Sequence, residues 1–225
     1  MSGGSLLDKS DVQRSRWEIP HRIIATGSFT MPTTNTALTM IYAGNSGQPF
    51  TYYYSTDENA DGQANDAVYV PTDVRDLNQI RFQATTGSAA ATIAQQQDAL
   101  DAYINKVSCL SKQRGSIMTR NTCRAPWQNV VDLSIRQPIR TLRGQNVSLQ
   151  WDVFNFANLL NKNWGVIREA GDPGFPGQRL LSRVNTATVN GVVYPVYTFN
   201  KDFQYDNVRN IQSNYRMQMS VRYSF

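Results

Sequence analysis

The last eleven residues of the chain, YRMQMSVRYSF, alternate side-chain character without a break. Tyr215, Met217, Met219, Val221, Tyr223 and Phe225 fall on one face of an extended backbone, and Arg216, Gln218, Ser220, Arg222 and Ser224 fall on the other. A period of two marks a β-strand with one apolar and one polar face. At the end of a soluble domain, a chain normally frays into a polar tail. Here the pattern runs to the last residue, as it does when apolar lipid lies on one side of a strand and a watery lumen on the other.

Composition permits that environment. Hydrophobic residues make up 40% of the 225 and charged residues only 17%, and the mean hydropathy is −0.45. No stretch approaches the roughly 18 consecutive apolar residues that a membrane-spanning helix needs. That excludes a helical membrane protein and leaves a barrel open, because alternating strands are mildly polar on average. The first residues, MSGGSLLDKSDVQRSRW, carry no basic segment followed by an apolar one, so no signal peptide is expected here. The chain therefore reads either as cytoplasmic or as the distal part of a longer protein. The net charge is +5, but the basic residues are scattered with no adjacent pair, and no nucleic-acid partner is expected.

The same alternation recurs in five segments: residues 22–31, 37–55, 129–139, 146–156 and 215–225. Gly44, Gly47 and Pro49 interrupt the second and predict a bulge or bend. The connections alternate in length: 32–36 and 140–145 are short, 56–128 and 157–214 are long. Compact soluble domains seldom carry such long connections. Bacterial barrels do, with short periplasmic turns and long extracellular loops. With the C-terminus in the periplasm, both short turns fall on the periplasmic side and both long loops outside. The predicted fold class is all-β: an antiparallel transmembrane β-barrel segment of about five long meandering strands. It is open at both edges and carries two long extracellular loops, one of which contains a short helix.

Several stretches then resemble the C-terminal end of TonB-dependent outer-membrane receptors, closest to the Oar-like subgroup: PHRIIATGSF from Pro20, YAGNSGQPFTYYY from Tyr42, DENADGQANDAVYVP from Asp57, RGSIMTRNTCRAPWQNVVDLSIRQ from Arg114, WDVFNFANLLNKNWG from Trp151, and the terminal YRMQMSVRYSF. The resemblance implies a barrel of about 22 strands around a plug, in the outer membrane, taking up a substrate with energy from the TonB system. It implies that residues 1–225 are the C-terminal part of that barrel domain, a fragment without plug, TonB box or signal peptide. It also implies that the terminal strand, from Tyr215 to Phe225, carries the signal read by the barrel-assembly machinery. The partners it implies are outer-membrane lipid, that machinery, the plug and remaining strands, and TonB through the plug.

The residues that could carry chemistry are few. Asp57, Asn59, Asp61 and Gly62 spell D-x-N-x-D-G, followed by Gln63, Asn65 and Asp66. Oxygen ligands at alternate positions with a glycine at the tight turn suit calcium. The twelfth position is Val68, not the usual glutamate, and Asp66 is the candidate replacement. The competing reading is an Asx-rich solvated loop tip. Cys109 and Cys123, an even pair in an external loop, predict a disulfide, against which stand two buried thiols. A helix is predicted over residues 93–111 from Ile93, Leu100, Ile104 and Val107, with Tyr103 alongside, packing onto its own loop. The single histidine, His21, has no partner for a catalytic triad, and GDPGFPG (residues 171–177) lacks phosphate-loop spacing, so no enzyme is expected.

Asp132, Arg136, Gln150, Asp152, Arg216 and Arg222 are predicted to face the lumen, with Asp132 paired to an arginine across the sheet. Tyr54, Trp127, Tyr215 and Tyr223 suit interfacial girdles. The alternative from another class is a secreted soluble β-domain acting in adhesion, its loop pinned by calcium and braced by the disulfide. That reading requires the apolar strand faces to be buried against a second sheet.

Overall fold

The computed structural model describes residues 14–140, 145–170, 177–204 and 206–224. In chain order the strands are β1 (Arg22–Thr30), β2 (Ala37–Asn45), β3 (Pro49–Tyr54), β4 (Tyr69–Val70), β5 (Ser116–Ile117), β6 (Cys123–Arg124), β7 (Gln128–Arg140), β8 (Asn146–Phe154), β9 (Arg168–Ala170), β10 (Gly177–Val189), β11 (Val192–Thr198), β12 (Asp206–Val208) and β13 (Arg216–Ser224). The α-helices are α1 (Ile93–Lys106), α2 (Ser108–Ser111), α3 (Phe156–Leu160) and α4 (Asn210–Ser213). None of the described helices is long and apolar enough to cross a membrane. The chain divides into two compact units.

One unit, residues 19–47, 125–169 and 207–225, holds a five-stranded sheet in the order β1-β2-β7-β8-β13. Every neighbouring pair is antiparallel. The five strands lie in the five alternating segments, and the long connections simply drop out of the meander. The β1–β2 hairpin closes through Met31 N–H to Thr36 O (2.9 Å) and Asn35 N–H to Met31 O (2.8 Å). Asn35 turns the chain at φ 54°, a conformation asparagine tolerates better than most residues.

Two boundaries differ from the sequence reading. The segment 37–55 is not one strand: β2 stops at Asn45, and β3 joins a different sheet. Gly47 sits where a Cβ would collide with the Ala125 carbonyl, and Pro49 has no N–H to continue the ladder. At the other boundary, β8 ends at Phe154 because Asn155 adopts the left-handed conformation (φ 52°, ψ 49°), which turns the chain into α3.

The second unit is built from the two long connections, residues 48–124 and 170–206, with the segment before Ile19. These connections are not simple loops, since they share a sheet, β11-β10-β3-β6, in which β10 runs parallel to β3. β10 and β11 form a hairpin over Asn190–Gly191, both at positive φ (50° and 77°), as the tight primed turn requires. The core is ordinary and apolar, with Tyr52, Tyr53, Leu100, Ile104, Leu110 and Leu181 almost fully buried.

The predicted helix over 93–111 is instead two. A capping box between Thr92 and Gln95 starts α1, and Val107 (φ −100°, ψ 101°) breaks it before α2. Its buried face includes Gln96, whose Nε2 donates to Gln83 O (2.8 Å) and Ala91 O (3.3 Å), while Oε1 accepts from Phe199 N–H (2.9 Å). One side chain thus serves three backbone groups. Cys109 and Cys123 are joined as a disulfide with Cα atoms 5.2 Å apart, tying α2 to β6.

Gln96→Leu keeps the volume and strands two of those groups, Gln83 O and Phe199 N–H, since Ala91 O also accepts Thr85 N–H (3.0 Å). At about 1–3 kcal/mol for each unsatisfied buried group, chemical denaturation of this unit should show a loss of at least about 2 kcal/mol. Replacing both Cys109 and Cys123 by serine releases a short loop and should cost about 3 kcal/mol in the same measurement. Tyr54 and Tyr197 stack with ring centres 5.0 Å apart. Burial pushes the Tyr54 phenol up to about 12 and raises Tyr197 as well. Because both folded-state values lie above the ordinary tyrosine value, this stabilisation is complete below about pH 10 and is lost as the pH rises toward the folded values. A tyrosinate absorbance titration should show Tyr54 ionising late; ionisation of all tyrosines near pH 10 in the folded protein would contradict it.

Candidate functional site

The two faces of the five-stranded sheet are the candidate site, and register decides what lies on each. Met219 opposes Trp151, Trp151 opposes Ile135, Ile135 opposes Leu38, and Leu38 opposes Phe29, so one apolar row crosses all five strands. The next row is Met217, Val153, Leu133, Met40 and Gly27. This apolar face is largely exposed, with Phe29 61% accessible, Trp151 57%, Met219 65% and Val221 64%, although Val153 near its middle is buried. On the opposite face Ser148 is buried and Gln150 and Asp152 are half-buried, while Arg136, Arg216, Gln218 and Arg222 are exposed. A soluble monomer rarely leaves so broad an apolar surface in water.

Polar handles mark the end of this face that leads into the long connections. Tyr42 Oη donates to Asn129 Oδ1 (2.7 Å), and Trp127 Nε1 donates to the same oxygen (2.9 Å). Asn129 pairs with Gly44, and a Cβ there would meet the Tyr42 hydroxyl at 2.5 Å and Trp127 Cζ2 at 3.0 Å, so the glycine makes room for both rings. An amphipathic ring with its polar atom engaged suits a membrane–water interface. At the other end Tyr223 is exposed. Tyr215, just before β13, is also exposed, whereas Tyr54 is not on this sheet and lies in the core of the other unit. Met217, Met219, Val221 and Tyr223 line the apolar face of β13 and are all exposed, and Phe225 lies outside the described residues.

Register places Asp132, Arg136, Gln150, Asp152, Arg216 and Arg222 together on the polar face. Its carboxylates are held by local donors. Asp152 Oδ1 accepts from Ser134 Oγ (2.6 Å) and Gln150 Nε2 (2.9 Å). Asp132 is not paired to an arginine across the sheet: its cross-strand neighbour on β2 is Ile41, and its Oδ1 accepts the Asn155 backbone N–H (2.8 Å). Arg136 and Arg222 line an open concavity of about 540 Å³ with Thr33, Asn35, Ser148 and Ser224.

Asn155 was not singled out from the sequence. It is 3% exposed, and its Nδ2 donates to Gly165 O (2.9 Å) and Ser213 O (2.7 Å). Ser213 Oγ in turn accepts Ile167 N–H (2.9 Å). One asparagine thus ties the end of β8 to the chain leading into β13. The crowded N-F-A-N-L-L-N-K-N-W-G run was the available signal, and Gly165 (φ 62°) is required because a Cβ would strike the Asn155 side chain.

In the other unit, the 57–66 loop is organised by its own side chains. Asp57 accepts the N–H groups of Asp61 (3.2 Å) and Gly62 (2.7 Å), Asn59 accepts that of Asp61 (2.9 Å), and Asp61 accepts that of Gln63 (2.8 Å). Asn65 Nδ2 donates to Gln63 Oε1 (3.1 Å), and Asp66 is buried behind the tip. Among the described residues no three His, Cys, Asp or Glu side chains are grouped to hold a metal ion. His21 serves through its backbone, its carbonyl accepting Ser46 N–H (2.9 Å) where β1 begins and β2 ends.

A family model described as outer membrane beta barrel domain matches residues 7–166, which include β1, β2, β7 and β8. No curated protein and no solved structure matches the chain. A match over most of the 225 residues, which takes in four strands of the antiparallel five-stranded sheet, identifies the chain as a member of the outer membrane β-barrel domain family.

Proposed function

We propose that these five strands are the closing part of the barrel of a TonB-dependent receptor, closest to the Oar-like subgroup, serving uptake or surface binding of a substrate. The observation that carries this reading is the largely exposed apolar face of an antiparallel meander with two open edges. In hydrocarbon an open edge leaves backbone groups unsatisfied, so further strands of the receptor pair with β1 and β13. Residues 1–225 are then the C-terminal part of the barrel domain, and TonB acts through a plug supplied by the rest of the receptor. The polar face borders the lumen, where Arg136 and Arg222 offer cationic contacts to the plug or to solute. The terminal strand, ending in Phe225, is the segment that the barrel-assembly machinery reads. No catalytic role is proposed.

The orientation rests on connection length. Residues 31–36 are a short turn, while the connections after β2 and β8 build the compact second unit, which lies outside the cell. The secreted adhesion domain is the weaker reading, because its apolar strand faces would have to be buried and these are exposed.

Single-cysteine replacements in the full-length receptor test the topology. Asn190→Cys, in the β10–β11 hairpin, should react with a membrane-impermeant maleimide on intact cells. Thr34→Cys, in the β1–β2 turn, should react only after the outer membrane is permeabilised. The reverse pattern would overturn the orientation, and recovery of the protein in the medium without detergent would favour the secreted domain.

A further inference from the structure

We propose that Arg136, Ser148 and Arg222 form a phosphate-binding site at the β1–β2 turn end of the polar face, taking a phosphate-bearing solute. It rests on the lumen-facing reading of that face only for the route by which a solute arrives. Strand register brings the three side chains together. Ser148 on β8 pairs with Arg222 on β13 and with Pro138 on β7, and Arg136 lies one row further along on the same face. Two strand spacings and one two-residue step separate the arginine backbones by about 12 Å, a gap that two long side chains close over the serine between them. All three line the concavity of about 540 Å³, and Thr33 and Asn35 of the hairpin turn wall its third side.

Ser148 supplies the independent reason to expect a ligand. It is only 7% exposed, it lines the concavity, and its hydroxyl has no hydrogen-bond partner among the described residues. A buried polar group left in that state is costly unless something else meets it. On either side of it, the guanidinium groups of Arg136 and Arg222 likewise make no hydrogen bond or ion pair among the described residues. No aspartate or glutamate lines the concavity. Asp152, one row beyond Arg136, is already held by Ser134 Oγ (2.6 Å) and by Gln150 Nε2 (2.9 and 3.0 Å). Positive charge is therefore concentrated where no protein carboxylate answers it. One arginine fork fills a carboxylate, whereas a tetrahedral phosphate has oxygens for both forks and for the serine hydroxyl. The site lies on the face opposite the apolar one, so the phosphate comes from a solute and not from a lipid headgroup.

Calorimetric titration of inorganic phosphate into the full-length receptor in detergent micelles, at constant chloride, decides the matter. Three charge-assisted contacts correspond to a dissociation constant of about 1 mM or tighter. Arg136→Gln and Arg222→Gln, both at exposed positions, should each weaken binding by about tenfold or more. Arg216→Gln, on the same face of β13 but outside the concavity, should bind as the wild type does. Absence of a binding heat up to about 10 mM phosphate, an order of magnitude above that constant, would overturn the site and leave the plug to fill the concavity. An equal loss in Arg216→Gln and Arg222→Gln would also overturn it, because binding would then follow general charge. Cysteine labelling at positions 34 and 190 of the same receptor separates the two readings. No phosphate binding with the expected labelling condemns the site alone, and phosphate binding with reversed labelling upholds the site and condemns the orientation.

Discussion

A sheet that meets hydrocarbon must satisfy every backbone donor and acceptor within itself, because lipid offers no partner. That constraint accounts for the five-stranded meander. Its ladders run unbroken for nine residue pairs between β1 and β2, β2 and β7, and β8 and β13. Pro138, which has no N–H, falls beyond the last pairing of β7 with β2, at Arg136. The one amide near that end of the apolar face is also satisfied: Gln137 accepts from Thr36 Oγ1 (2.5 Å) and donates to Thr34 O (3.1 Å), so the hairpin turn absorbs its polarity.

The two units obey opposite burial rules in one chain. In the five-stranded sheet large apolar side chains such as Phe29, Trp151 and Met219 are exposed, while in the other unit Tyr52, Tyr53 and Tyr54 are buried in succession, so both faces of β3 are covered. The change occurs at Gly47 and Gln48, where the unit boundary falls. Alternation by itself cannot mark this change, because a half-buried soluble strand and a lipid-facing strand share the same period. Gly47 and Pro49 mark the break, and only burial shows what lies on either side of it.

Local patterns and the order of the meander were therefore legible, whereas the pairings inside the long connections were not. The five strands follow from period two, and the meander from the lengths of the connections. The D-x-N-x-D-G tip shows its turns because its hydrogen bonds span only two to five residues. The parallel pairing of β3 with β10 joins residues more than a hundred positions apart and leaves no local trace. The β10–β11 hairpin did leave one, since Asn190–Gly191 between alternating segments is a strong turn signal. Asp132 shows a different limit. Its sequence neighbours place it on the polar face, but register puts Ile41 opposite it, and the available donor is the backbone N–H of a buried, left-handed asparagine.

Register also sets a depth. Asn129, which receives both Tyr42 and Trp127, and Ile139, which pairs with Val147 beside Tyr223, bound the apolar face along β7. Ten steps along that strand at about 3.4 Å each give roughly 34 Å, and a tilt of about 45° reduces this to roughly 24 Å across the membrane. An outward-facing apolar band of outer-membrane barrels is about 25 Å tall. The aromatic hydrogen bonds at Asn129 and the Tyr223 hydroxyl thus stand one hydrocarbon thickness apart. Lengthening or shortening β7 by a residue pair would drag one of these polar ends into lipid, so the depth of the sheet is fixed by the same pairings that satisfy its backbone.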